Sequence, residues 1–66
     1  MTYLQLIEIL NQIERQTGLY LSDMAVDAEN AGKNATDAQL YDAAVSAAEQ
    51  RASDAGFDIY ELFNAE

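Results

Sequence analysis

The sequence predicts an all-α fold, a small bundle of three main helices plus a short C-terminal helix. Apolar residues recur at helical spacing in several segments. Most of these segments open on a Ser, Thr or Asp cap, and Gly18, Gly32 and Gly56 close the first three. The chain has no proline and no convincing period-2 alternation, so strands have nothing to build on.

The first helix is expected over Thr2–Thr17. Thr2 and Gln5 have capping-box spacing, and Gly18 ends the run. Tyr3, Leu6, Ile7, Ile9, Leu10 and Ile13 form one continuous arc, with Gln5, Glu8, Gln12, Arg15 and Gln16 opposite. Leu4 falls outside that arc and Glu14 falls within it. Leu19–Leu21 is a short apolar connector. Ser22 is the expected cap of a second helix running from about Asp23 to Ala31, with Leu21 and Val26 as a hydrophobic staple. Its other apolar positions are Met24, Ala28 and Ala31, a thin anchor.

The third helix is the longest pattern, Thr36–Ala55. Thr36 and Gln39 form a capping box, Asp37 suits the positive end of the dipole, and Gly56 follows the last periodic residue. One side carries Gln39, Asp42, Ser46, Glu49, Gln50 and Ser53. The other carries Leu40, Tyr41, Ala44, Val45, Ala47, Ala48 and Ala52, a low surface that a neighbouring helix can approach closely. After Gly56, Asp58 and Glu61 give an acidic capping box, and Phe57 can staple to Leu62 at a short final helix, Ile59–Asn64. Phe57, Tyr60 and Phe63 carry much of its apolar area. Such an acidic-aromatic run either closes the domain's own core or docks in a partner's groove.

Sixty-six residues make one domain, expected over 1–66. A chain this short buries a modest share of its surface, which makes its stability marginal. Lacking cysteine and histidine, it has no disulfide and no plausible zinc staple. Half of its residues are hydrophobic, too many for a disordered acidic tail. The net charge of −9 sets twelve carboxylates against Arg15, Lys33 and Arg51. Direct nucleic-acid binding needs a basic surface, and anionic membranes repel an acidic one. No apolar run has the length of a bilayer span, and the N-terminus lacks the pattern of a signal peptide. The expected localisation is therefore cytoplasmic, and the glycosylation triplet Asn34-Ala35-Thr36 is coincidental.

No nucleophile has a base beside it in the pattern, so no enzyme activity, catalytic residue or cofactor is expected. Asp27 to Gly32 matches the start of a calcium loop in outline. Ala31 and Ala38 stand where a side-chain ligand and the bidentate glutamate belong, so no metal site is expected. The candidate partner-binding residues are Asp23, Asp27, Glu29, Asp37, Asp42 and Glu49. Carboxylates fixed on a helical surface can imitate phosphates, whereas the plainer reading has Asp23 and Asp37 serving helix N-termini and the rest solvated.

Glu14 and Arg51 lie on faces that should be apolar. They are expected to meet as an interhelical ion pair between antiparallel-like helices, unless Arg51 snorkels out over alanine towards Asp54. The functional expectation is a small acidic protein-interaction module. Most concretely, it is an inhibitor or decoy that masks the basic, nucleic-acid-binding surface of a partner, as mobile elements encode. The alternative is a structural subunit or homodimer packing through the alanine-rich face.

Overall fold

The structure, a computed structural model, describes residues 1–64; the last two positions of the expected domain lie outside it. Its helices are α1 (Tyr3–Thr17), α2 (Met24–Ala31), α3 (Asp37–Asp54) and α4 (Ile59–Asn64), and no strand occurs among the described residues. The all-α bundle read from the sequence is the fold.

Local chemistry sets the ends. Thr2 caps α1 and Thr36 caps α3, and in both cases the reciprocal Gln side chain completes the box. Gly18 takes a left-handed conformation (φ 76°) and donates its N–H to the Glu14 carbonyl at 2.8 Å. At the end of α3, Phe57 N–H reaches the Ala52 carbonyl and Gly56 N–H reaches that of Ser53. That pair of bonds is a Schellman motif, and it turns the chain back toward α3.

The helices run up, down and up. Tyr3 N–H, in the first turn of α1, donates to both oxygens of Asp37 at 3.3 and 3.2 Å, so α1 and α3 start at the same end. At the other end Arg51 of α3 reaches the connector that follows α1. Helices α1 and α3 are thus parallel, which corrects the antiparallel-like expectation: α2 makes the return journey between them. Helix α3 is the hub and packs on α1, α2 and α4.

The core joins Tyr3, Leu6, Ile7, Leu10 and Ile13 of α1 to Ala44, Ala48 and Ala52 of α3, with Leu21 and Ile59 closing the two sides. Bulky aliphatics meet a smooth alanine face, as the sequence pattern requires. The same contact covers the centre of the face that a homodimer would have used. Ile59 is buried, Leu62 and Phe63 pack half-buried against the core, and Phe57 and Tyr60 stay exposed. The C-terminal segment therefore does close its own core, but with only part of its apolar surface. A small hollow of about 180 Å³ between α1, α3 and α4 is lined by Met1, Leu6, Ile9, Tyr41 and Phe63.

Alanine at position 48 is a steric requirement, since the residue is wholly enclosed. Ala48→Leu should lower unfolding stability by about 1–3 kcal/mol through overpacking. Ser46→Leu, on the exposed side of the same helix, should change it by less than about 0.5 kcal/mol. Urea unfolding of the two variants checks the contrast.

Candidate functional site

Asp23, Asp27, Glu29, Asp37, Asp42 and Glu49 do not form one surface. Asp23, and not Ser22, caps α2: its Oδ1 accepts from the N–H groups of Ala25 and Val26 at 3.1 and 3.2 Å. The Val26 N–H, then the Tyr20 hydroxyl, hold its carboxyl below the ordinary range. Asp37 is exposed, but its oxygens serve the first N–H of α1. Both residues are fixed by helix ends, in line with the plainer of the two expectations.

Asp27 is the larger correction. The sequence places it on an exposed helix face, yet it is only 1% exposed and is the one buried residue of α2. Helix α2 turns Asp27 inward while Met24 and Ala28, expected as anchors, face out. Tyr3 donates its hydroxyl to Asp27 Oδ2 at 3.1 Å, whereas Oδ1 has no hydrogen-bond partner. Burial pushes the Asp27 carboxyl above the ordinary range; the Tyr3 hydrogen bond and the charge of Arg51 oppose that rise, and Asp23 adds to it. The Tyr3 hydroxyl, also buried and facing Asp27, is pushed up to about 12. An acid inside a small core costs stability when ionised, because one hydrogen bond replaces the several that water gave.

Glu14 and Arg51 meet a peptide group and not each other. Leu21 is buried in an irregular connector, so its backbone polar groups need partners. Glu14 Oε1 accepts from Leu21 N–H and Ser22 N–H, both at 2.7 Å, and Ser22 Oγ lies 3.0 Å from the same oxygen. Arg51 Nη1 donates to the Leu21 carbonyl at 3.3 Å, and its guanidinium sits 5.1 Å from the centre of the Tyr20 ring. The expected ion pair is thus bridged by one peptide unit. Ser22, engaged with Glu14 and with Asn11 Oδ1 at 2.9 Å, is drawn away from the cap position assigned to it.

Glu29, Asp42 and Glu49 remain exposed. Tyr60 Oη approaches Glu49 Oε2 at 3.4 Å, a long contact. By helical register these residues flank a groove of about 540 Å³ along the α2–α3 seam. Val26 and Asn30 form one wall, Ala43 and Ala47 the floor, and Ser46 and Gln50 the other wall, with Arg51 also lining it. Among the described residues no three acidic groups converge on a point where they could hold a metal ion. No helix there is long and apolar enough to cross a membrane. Compared with known proteins, the chain matches no family model, no curated protein and no solved structure.

The α2 aspartates titrate with opposite effect. Asp23, lowered in the folded state, contributes stability that is present above its ordinary value of 3.8 and lost as pH falls below it. Asp27, raised in the folded state, contributes stability that is present below 3.8 and lost as pH rises through its folded value. Urea midpoints should therefore peak in mild acid, around the ordinary carboxylate range, and decline toward neutrality. Asp27→Asn should remove most of that decline, since the amide carries no proton to lose and no charge to desolvate in this pH range.

For the connector, Glu14→Ala should cost about 1–3 kcal/mol by stranding two N–H groups. Glu14→Gln should recover most of the loss, since an amide oxygen can accept the same bonds. A direct ion pair would fail equally in both variants.

Proposed function

We propose that the chain is a small acidic protein-interaction module whose partner presents a basic surface, most concretely one built to hold nucleic acid. The observation that carries this reading is the division among the acidic residues. Asp23, Asp27 and Asp37 are held by the fold, while Glu29, Asp42 and Glu49 stand in solvent along two adjoining helices. Only Arg15, Lys33 and Arg51 oppose twelve carboxylates, and Arg51 is engaged with Leu21 and Tyr20. Exposed carboxylates on rigid helices keep their spacing, which is what a decoy for phosphates needs. Binding of this kind accelerates encounter and weakens with salt.

The burial of Ala44, Ala48 and Ala52 within the chain supports this reading over a structural subunit or homodimer packing through the alanine-rich face. Affinity capture from cell lysate, with the bound proteins identified by mass spectrometry, tests the proposal. A true partner should be retained at about 0.05 M salt, released by about 0.5 M, and displaced by duplex DNA. The triple change Glu29→Gln, Asp42→Asn, Glu49→Gln should weaken capture about tenfold, at roughly 0.5 kcal/mol per rim charge. Glu8→Gln on α1 should leave it unchanged. A partner that survives high salt and ignores DNA would point to helix packing instead.

A further inference from the structure

Each of the other helices buries aliphatic or alanine side chains, whereas the only fully buried residue of α2 is a carboxyl group. We propose that Asp27 is a proton-operated latch: protonated, it seats α2 on α1 and α3, and ionised, it makes α2 the first element to lift, opening its seam with α3.

The groups that face Asp27 are the Tyr3 hydroxyl from α1, Arg51 from α3 and Asp23 from its own helix. Tyr3 supplies a single hydrogen bond, and Oδ1 is left without one. Arg51 acts on Asp27 by charge, while its Nη1 is bonded to the Leu21 carbonyl. An ionised Asp27 is therefore under-solvated where it sits, and lifting α2 into water relieves it.

Helix α2 spans eight residues, below the length at which an isolated helix holds in water (roughly 12–15 residues), so a lifted α2 also melts. The rest of the bundle has its own fastenings. Asp37 ties the starts of α1 and α3, and Glu14 and Arg51 hold the connector at their other ends. Release is accordingly local, and it uncovers the seam formed by Val26, Asn30, Ala43 and Ala47. Asp23 does not confuse the readout above mild acid, since it is already ionised there.

Amide hydrogen exchange by NMR from about pH 4 to pH 8, corrected for intrinsic exchange rates, tests the latch in the intact chain. Protection of α2 amides should fall by up to about tenfold per pH unit from the ordinary carboxylate value of 3.8 up to the pH at which the Asp27 carboxyl carbon titrates, and level off above it. Buried amides of α1 and α3 should change far less. Asp27→Asn should make α2 protection independent of pH. Tyr3→Phe, which removes the donor that favours the carboxylate, should extend the upper end of the interval to higher pH. A uniform loss across all helices, or an unchanged pH dependence in Asp27→Asn, overturns the proposal. Should Asp27→Asn fail to fold, the unaltered chain decides the matter: α2 protection that stops falling at the pH where the carboxyl carbon titrates supports the latch, and a fall that continues well beyond that pH overturns it.

Discussion

The contact between the aliphatic arc of α1 and the alanine face of α3 determines where everything else can go. Leu6, Leu10 and Ile13 are enclosed beside Ala44, Ala48 and Ala52, so one helix supplies bulk and the other a surface that admits it closely. Two bulky faces would have held the helices apart, and two alanine faces would have buried too little apolar area to order so short a chain. The division of labour also makes α3 the hub. Having little volume of its own on that side, it can be flanked by α1, α2 and α4 together.

Most of this was legible in the sequence, because it rests on local signals. The capping boxes at Thr2 and Thr36, the glycine stops and the 3.6-residue periodicity all operate within a few positions of the chain. Helix direction was not legible. The antiparallel-like reading of α1 and α3 rested on Glu14 and Arg51 alone, and nothing in either face encodes which way its partner runs. The decisive bond, Tyr3 N–H to Asp37, joins residues far apart in the chain.

The charged residues show the same limit more sharply. Glu14 and Arg51 are visible as misfits on apolar faces, but the direct ion pair expected of them is replaced by bonds to the backbone. What needed them was the backbone of Leu21, because a buried residue outside regular structure has polar groups that no helix satisfies. Asp27 went the other way. Met24 and Ala28 are the more apolar side chains, yet α2 buries Asp27, which meets the Tyr3 hydroxyl of another helix. Periodicity over eight residues is too weak to reveal which face is buried. The exposed residues Glu29, Asp42 and Glu49 were legible because no helix end or interior backbone group competes strongly for them.

The hollow that Met1 and Phe63 share with Leu6, Ile9 and Tyr41 brings the first residue and the end of α4 side by side. That proximity suits circular permutation: a short splice from Asn64 to Met1 across this hollow, with the chain opened at the exposed turn around Lys33 and Asn34, would preserve every helix while reordering them.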